Sequence, residues 1–349
     1  MALLINGRYL TRPVTGVERY SDMLVRVVAR EWPDSRILVP RNLKDFSHIH
    51  GLEVVPTGMF RGHMWEQLSL PRAVGPSDVL ICPANTGPLR VKRQAVVIHD
   101  LAVIHHPEWF DRRFAAWYRF LLPRLAHNAA RVITVSSTSA EDIMNTLKMP
   151  GSKVVVVPPF AIERTPLPHS PIDGPFVLVV AGRDPRKGLN QIVAWYASLK
   201  NPDFKLVVVG RSQGPFPAFP ISRPAAPKYR GIVYRTDADD EDLHALYSHA
   251  IALVNLSRME GFGLPILEAL EWGCPVIASD LPVFKKNFGG SLFYLSGMNS
   301  DGLSAYMDGL RVPNRRAHFA MRGKLRAAQF TQERMAIALH QALDPLLNP

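Results

Sequence analysis

The sequence alternates short runs of apolar, β-branched residues with longer stretches in which apolar residues recur at helical spacing. The clearest strand candidates are residues 3–6, 78–82, 95–99, 176–181 and 204–209. Near-continuous apolar strands separated by helices are typical of parallel sheets with helices on both faces. We therefore predict an α/β fold made of doubly wound parallel sheets.

The alternating pattern is interrupted once, in a proline-rich stretch between residues 158 and 175, and then restarts. A length of 349 residues corresponds to about two domains at roughly 150 residues each. We predict one domain over residues 1–165 and a second over residues 166–329. Residues 330–347 carry apolar side chains at helical spacing, which indicates a final helix.

The charge of the chain suits a polyanionic partner. Its net charge is +11, and no zinc-finger or RNA-binding signature accompanies the basic residues, so we do not expect nucleic acid as a partner. The two cysteines, Cys82 and Cys274, lie in or beside apolar runs, and no Cys/His cluster accompanies them, so we expect buried thiols and no metal site. Neither a secretory leader pattern nor an apolar run of about 18 residues is present, which favours a cytoplasmic protein.

The stretch over residues 257–269 carries the strongest chemical signal. It follows a predicted strand and begins a predicted helix, and Gly261 and Gly263 allow backbone amides to approach a ligand closely. A helix N-terminus of this kind suits a phosphate group. Glu260 and Glu268 flank it, and such carboxylates are better suited to accept hydrogen bonds from sugar hydroxyl groups than to bind phosphate.

This stretch resembles the glutamate-to-glutamate signature of the retaining glycosyltransferases of family 4. The similarity extends over nearly the whole chain, and it is most specific in the second domain. The first domain most resembles the bacterial branch that contains O-antigen mannosyltransferases. The other matching segments are residues 15–20, 135–136, 181–188, 209–210, 243–247 and 273–279. The resemblance implies the GT-B fold, in which two Rossmann-like domains face a central cleft and a C-terminal helix, here about residues 330–349, crosses back to the first domain.

The resemblance also implies a site for a nucleotide diphosphate sugar. Arg183 and Lys187 are spaced to hold a diphosphate without a metal ion. Glu268 is expected to bind the donor ribose, and Gly16 leaves room for the donor at the start of the first helix. The full set of expected donor-binding residues is Gly16, Arg183, Lys187, Gly261, Phe262, Gly263, Leu264 and Glu268. His99, with Asp100 to orient it, and Glu260 are the expected catalytic residues.

Other motifs have structural explanations. The acidic run over residues 237–242 is interpreted as a helix cap rather than a metal site, and Thr138 with Glu141 reads as a capping box. Residues 61–131 are rich in arginine and aromatic residues. Two interpretations of this segment remain open, namely a core helix with a solvated basic face and a helix that lies on an anionic membrane. Residues 281–286 carry no acid where the family often has Pro-Glu-Val, and residues 158–160 depart from its usual Pro-Asn-Gly.

The predicted function is a retaining, metal-independent hexosyl transfer with no cofactor. The donor would be a nucleotide diphosphate sugar, with GDP-mannose as the preferred candidate. The acceptor would be a surface polysaccharide or a lipid-linked glycan, and the enzyme would be cytoplasmic or peripheral on the inner face of the cytoplasmic membrane. Two alternatives stay open, namely a sugar-nucleotide epimerase of the same fold and a non-catalytic membrane adaptor.

Overall fold

The computed structural model describes residues 1–43, 49–162, 167, 169–182, 184–210, 230–236, 238–297 and 300–348. Their contacts divide the chain into two units. Unit 1 comprises Met1–Ile104, Ala116–Phe160 and Phe330–Pro349, and unit 2 comprises His105–Ala115 and Ala161–Gln329. A short piece from the middle of the N-terminal half therefore groups with the C-terminal half.

Unit 1 contains a seven-stranded parallel sheet with the order β3-β2-β1-β4-β5-β6-β7. Its strands are β1 (Leu3–Asn6), β2 (Arg36–Pro40), β3 (Glu53–Thr57), β4 (Val79–Cys82), β5 (Gln94–Val97), β6 (Arg131–Thr134) and β7 (Val154–Val156). The helices of this half of the chain are α1 (Gly16–Glu31), α2 (Gly62–Met64), α3 (Leu70–Ala73), α4 (Ala102–His105), α5 (Arg112–Asn128) and α6 (Ser137–Leu147). A π-helical turn, Trp65–Ser69, joins α2 to α3. The central strands are buried on both faces, as their continuous apolar sequences predict.

Unit 2 contains a six-stranded parallel sheet with the order β10-β9-β8-β11-β12-β13. Its strands are β8 (Phe176–Val180), β9 (Lys205–Val209), β10 (Ile232–Arg235), β11 (Leu253–Asn255), β12 (Val276–Ser279) and β13 (Phe293–Leu295). Its helices are α7 (Leu189–Ser198), α8 (Asp240–His249), α9 (Leu264–Glu271), α10 (Pro282–Phe288), α11 (Ser300–Leu310) and α12 (Pro313–Ala327). The predicted pair of doubly wound parallel sheets is confirmed.

In each sheet the strand order changes direction beside the first strand of its unit. The sequence-distant neighbours are β1 and β4 in unit 1, and β8 and β11 in unit 2. Open parallel sheets bind ligands outside the carboxyl ends of their strands at such switch points. Asn6 ends β1 and Asn255 ends β11, so a ligand site is expected at the loops that follow these two residues.

The final helix, α13 (Gln332–Leu347), packs on α1 and β7 of unit 1. Met335, Leu339 and Leu343 are fully buried there. His340 adds a polar contact, because its Nε2 lies 3.3 Å from Glu31 Oε2 at the end of α1. The predicted return of the C-terminal helix to the first domain is therefore confirmed.

Some local predictions are wrong or lie outside the described residues. The capping box at Thr138 is wrong, because α6 begins at Ser137 and the hydroxyl group of Ser136 accepts the N–H of Ser139 at 3.1 Å. β13 lies in a segment for which the sequence predicts no element. The proline-rich stretch over residues 213–230, for which the sequence predicts a loop, falls outside the described residues except for Arg230. No helix in the described ranges is both long and apolar enough to cross a membrane.

Candidate functional site

The loops that follow β8 and β11 in unit 2 are in close contact. The N–H of Arg258 donates to the carbonyl oxygen of Arg186 at 2.8 Å. Gly188 has φ +66°, and a Cβ atom there would lie 2.3 Å from the carbonyl oxygen of Leu256. Gly188 is thus required both by its backbone conformation and by the closeness of the two loops.

Lys187 and Glu260 are brought together by this contact. Lys187 Nζ lies 2.5 Å from Glu260 Oε1, and the two side chains are 18% and 11% exposed. Ser257 Oγ lies 2.7 Å from the same carboxylate oxygen and 2.6 Å from Asn255 Oδ1. An anion that binds Lys187 must therefore share the ammonium group with Glu260 or displace the Glu260 carboxylate from it. Arg183, the second predicted cation, lies outside the described residues.

Helix α9 begins without a side-chain cap. Its N-cap residue is Gly263, with φ +98° and ψ 51°, and a Cβ atom at this position would lie 2.7 Å from the ring of Phe284. Pro265 has no N–H, and the N–H groups of Ile266 and Leu267 donate to the carbonyl oxygen of Gly263. Because glycine has no side chain that could accept from the remaining amide, the N–H of Leu264 and the positive end of the helix dipole are suited to an anion. The turn over residues 261–263 and the start of α9 thus have the geometry that the sequence predicts.

Phe262 has a structural role within the same turn. Its side chain is buried and packs edge to face on Phe288, with 5.6 Å between the ring centroids. Its carbonyl oxygen accepts a hydrogen bond from Asn287 Nδ2 at 3.0 Å. These contacts fix the path of the chain through Gly261 and Gly263, so Phe262 holds the backbone amides in place.

Glu268 is held inside α9 by a partner that the sequence analysis did not assign. Tyr247 on α8 is fully buried, and its hydroxyl group donates to Glu268 Oε2 at 2.8 Å. This hydrogen bond fixes the orientation of a carboxylate that is itself buried. Tyr247 belongs to the segment over residues 243–247 that resembles the family. A buried tyrosine at this position is equally well explained by packing in the core.

Asp184 was also missed, and it binds Arg186, one of the cations of this loop. Its carboxylate binds the Arg186 side chain through Nε at 2.9 Å and Nη2 at 2.7 Å. The same carboxylate accepts the backbone N–H of Arg186 at 2.9 Å. The Arg186 guanidinium also lies 5.7 Å from the ring centroid of Phe110. Arg186 is therefore committed to the loop structure, whereas Lys187 points to Glu260.

His99 lies in unit 1, two residues beyond the end of β5, and it is 9% exposed. Its ring packs edge to face on Tyr20, with 4.9 Å between the centroids. Its backbone N–H donates to Asn85 Oδ1 at 2.8 Å, and its carbonyl oxygen accepts from Ser139 Oγ at 3.0 Å. The backbone of His99 is thus held by the loop that follows β4 and by the first turn of α6, and its ring packs on Tyr20 of α1.

The imidazole of His99 is neutral at pH 7. Burial lowers its pKa to about 4, although the charge of Asp100 and a hydrogen bond with the Pro83 backbone oppose this effect. Its Nε2 atom has no hydrogen-bond partner within the described residues. Asp100 accepts the N–H of Ala102 at 2.9 Å, so at least one of its oxygens serves the backbone. His99 therefore offers one buried, unsatisfied ring nitrogen.

Gly16 is the first residue of α1, as predicted, and the helix carries a capping box made by Thr15 and Glu18. The N–H of Thr15 donates to Glu18 Oε2 at 3.1 Å. A Cβ atom at Gly16 would meet nothing within 4 Å. Packing within the described protein therefore does not explain the glycine.

A buried polar cluster at the carboxyl end of β1 was not predicted. Glu66 in the π-helical turn accepts from Arg8 Nε at 3.1 Å, Asn6 Nδ2 at 2.7 Å and Thr86 Oγ1 at 2.9 Å. Burial alone raises the pKa of Glu66, but the charge of Arg8 and the hydrogen bonds from His63 and Asn6 lower it to about 2. Glu66 is 58 positions from Arg8 and 60 from Asn6, so no local pattern could have revealed these two contacts.

The acidic run before α8 acts as a cap. Asp239 is the N-cap residue, and its carboxylate accepts the N–H of Asp242 at 2.8 Å. Asp242 in turn lies 3.0 Å from the Arg235 side chain. The capping interpretation is thus confirmed for Asp239, while Asp237 lies outside the described residues.

The chain matches two family models, which together cover most of its length. Residues 14–161 match the model described as Glycosyltransferase Family 4, and residues 168–289 match the model described as Glycosyl transferases group 1. The structure of sucrose-phosphate synthase from Thermosynechococcus elongatus is similar, with a TM-score of 0.75 and 19% sequence identity over 99% of this chain and 98% of that one. This similarity concerns the fold.

The matches to curated relatives cover a smaller part of this chain than the match to that solved structure does. The serotype-specific mannosyltransferase WbdA of Escherichia coli is 28% identical over 250 residues, which are 64% of this chain and 30% of that protein. The O-antigen chain mannosyltransferase RfbU of Salmonella typhimurium is 26% identical over 218 residues, 62% of this chain and 60% of that protein. The chain thus spans only about 30% of the length of WbdA. The two family matches, the two parallel sheets and the geometry around Glu260 agree: the chain belongs to glycosyltransferase family 4, has the GT-B fold and resembles the O-antigen mannosyltransferase branch.

Proposed function

We propose that this protein is a retaining, metal-independent glycosyltransferase that uses no cofactor. It moves mannose from GDP-mannose to a surface polysaccharide or lipid-linked glycan on the cytoplasmic side of the membrane. The observation that carries the proposal is the Lys187–Glu260 pair beside the uncapped N-terminus of α9. It combines a cation and the amino end of a helix for a diphosphate with a carboxylate for a sugar hydroxyl group. The named activities of the relatives favour mannose.

The donor would be held by charge and by directed hydrogen bonds. Lys187, with Arg183 as its predicted companion, and the N–H of Leu264 at the start of α9 bind the diphosphate. These groups and the helix dipole take the place of the positive charge that a metal ion supplies elsewhere. Glu268, fixed by Tyr247, accepts a hydrogen bond from a ribose hydroxyl group. When the diphosphate takes over Lys187, Glu260 becomes available to accept a hydrogen bond from the donor sugar.

The chemical step exchanges one bond at the anomeric carbon of the sugar for another. The bond from this carbon to the phosphate oxygen breaks, and the acceptor hydroxyl oxygen forms a new bond on the same face. The acceptor proton passes to the leaving phosphate oxygen, and the nucleotide diphosphate departs. Catalysis then consists of positioning and of stabilising the charge on the diphosphate. His99 is neutral and serves as a hydrogen-bonding group for the reacting sugar rather than as an acid.

Removal of Lys187 tests the donor site directly. A charge-assisted hydrogen bond contributes about 1.5–3 kcal/mol, so Lys187→Ala should weaken GDP binding at least about tenfold in calorimetry. The control is Lys200→Ala, which removes an exposed lysine just beyond the end of α7. Equal GDP affinity in the two variants and the parent protein would contradict the assignment.

A second assay separates the proposed activity from its rivals. The protein is incubated with GDP-mannose or UDP-sugars, with and without a lipid-linked acceptor, and the products are analysed by mass spectrometry in excess chelator. Transfer of mannose with retention of the anomeric configuration is expected. Epimerised sugar formed without acceptor would favour the epimerase, and absence of both products with intact vesicle binding would favour the adaptor. A strict requirement for manganese or magnesium would contradict metal independence.

Peripheral membrane binding is part of the same proposal. Of the aromatic residues in α5, Tyr118 is buried and bonded to Arg12, whereas Phe120 is 45% exposed and lies 3.9 Å from the Arg124 guanidinium. Met59 and Met64 are exposed in the same unit. We expect Phe120→Ser to reduce co-sedimentation with phosphatidylglycerol vesicles, while Met321→Ser, an exposed position in unit 2, does not. Equal sedimentation of both variants would exclude this surface.

A further inference from the structure

Unit 1 contains a cavity at the amino ends of its strands, whereas His99 lies beyond the carboxyl end of β5. The volume of the cavity is about 410 Å³. Asp78 and Arg93, which precede β4 and β5 directly, both line it, so it lies at the amino ends of these strands. The segment that follows α3 forms another part of the wall. The cavity therefore lies apart from the carboxyl ends of the strands, where the residues of the candidate site are found.

The charge of the cavity is strongly positive. Arg72, Arg90, Lys92 and Arg93 line it together with a single acid, Asp78, so the wall carries a net charge of +3. Asp78 serves the local backbone, because Oδ1 accepts from the N–H of Ala2 at 2.8 Å and Oδ2 from the N–H of Gly75 at 3.0 Å. None of these four cations forms a salt bridge with a carboxylate in the part of the chain that the structure describes. Four like charges without counter-ions repel one another, and an anion would relieve this repulsion.

Arg93 supplies a second observation. Its Nη2 donates to the carbonyl oxygen of Leu346 near the end of α13, at 2.5 Å. Its Nε atom is buried and has no acceptor among the described residues. Buried donors of charged groups are normally satisfied, because an unsatisfied one is destabilising. The guanidinium thus has one edge bonded to the protein, while its Nε donor is left unsatisfied by the described residues.

We propose that this cavity binds a phosphate-bearing anion of about the size of a diphosphate. The guanidinium groups of Arg72, Arg90 and Arg93 have the fork geometry that phosphate oxygens match, and Lys92 adds a point charge. Leu68 and Val91 give the wall apolar parts, which suit the organic portion of a phosphate ester. The phosphate belongs either to a free metabolite or to a lipid headgroup.

Site-resolved lysine labelling of the full-length protein tests this proposal. An amine-reactive reagent is applied with inorganic pyrophosphate, with phosphatidylglycerol vesicles or with phosphatidylcholine vesicles, and modification is quantified by mass spectrometry. Lys92 reports on the cavity and Lys187 on the donor site, so the two sites are read separately. We expect pyrophosphate to slow modification of Lys92 at least fivefold. Protection only by phosphatidylglycerol would identify a lipid headgroup as the source of the phosphate.

The variant Arg90→Ala should raise the pyrophosphate concentration needed for half protection of Lys92 at least tenfold. Arg90 is exposed, so the fold should tolerate the change. The matched control is Arg26→Ala, which removes an exposed arginine from α1 of the same unit. The proposal is overturned if neither pyrophosphate nor phosphatidylglycerol protects Lys92. It is also overturned if the two variants behave alike, or if exposed Lys200 is protected to the same degree.

Discussion

His99 offers the sharpest test of how unit 1 contributes to the reaction. If its unsatisfied Nε2 binds the reacting sugar, the loss of this contact should raise the activation barrier by about 2.7 kcal/mol, or about a hundredfold in kcat and kcat/KM together. His99→Asn is the informative variant, because its amide can retain the hydrogen bond with the Pro83 backbone while it cannot reach the position of Nε2. GDP affinity should change little in this variant.

The same residue predicts a pH dependence of stability with a definite sign. Its folded-state pKa of about 4 lies below the ordinary value of 6.5, so the unfolded chain binds a proton that the folded chain excludes. Unit 1 should therefore lose stability as the pH falls below 6.5, and the loss should be complete near pH 4. At about 1.36 kcal/mol per pKa unit, this shift lowers the free energy of unfolding by about 3 kcal/mol.

Two measurements separate a functional role from a packing role. Steady-state kinetics between pH 5 and 8 should show turnover that does not follow a titration near 6.5, because His99 stays neutral in the folded protein. Hydrogen exchange of the β5 and β6 peptides should show the acid-induced loss in the parent protein and a smaller loss in His99→Asn. A lower melting temperature of His99→Asn with unchanged turnover per folded molecule would show that His99 only packs and does not contact the reacting sugar.

The remaining predictions concern the two polar clusters and the α9 turn. Glu66→Gln leaves a buried guanidinium unpaired and should destabilise unit 1 by about 3–5 kcal/mol in denaturant unfolding, and a loss below about 1 kcal/mol would contradict the cluster's role. Gly263→Ala places a side chain at a positive φ against an aromatic ring, so GDP binding should weaken before the fold is lost, and unaltered affinity in calorimetry would refute this. Burial lowers the pKa of His340, but hydrogen bonds to Asp344 and Glu31 raise it above its ordinary value. The hydrogen-exchange protection of α13 should therefore decrease from pH 6 to 8 in the parent protein and become independent of pH in His340→Gln. A pH dependence that persists in His340→Gln would exclude this residue as its source.

The repeating elements of this fold could be predicted from the sequence because they depend on local patterns. Apolar runs fix which segments are buried on both faces of a sheet, and the strand β1 has the predicted bounds. The three-residue strand β13 could not be found in this way, because it is defined by pairing with β12 and not by its own periodicity. The capping box at Thr138 failed for a related reason, since Ser136, two residues earlier, forms the cap.

The candidate site shows the same division. Glycines and acids at fixed spacing within residues 257–269 allow the α9 turn to be predicted, because adjacent residues form it. The Lys187–Glu260 pair, the Tyr247–Glu268 hydrogen bond and the Asp184–Arg186 pair were not predicted, since each depends on where a side chain points after folding. The Arg8–Glu66 pair joins residues 58 positions apart, and the cationic cavity forms where residues 67–78 meet residues 90–93. The sequence by itself determined the strand–turn–helix units and their chemistry, whereas only the tertiary structure decided which charges meet, because burial and long-range pairing arise when the sheets form.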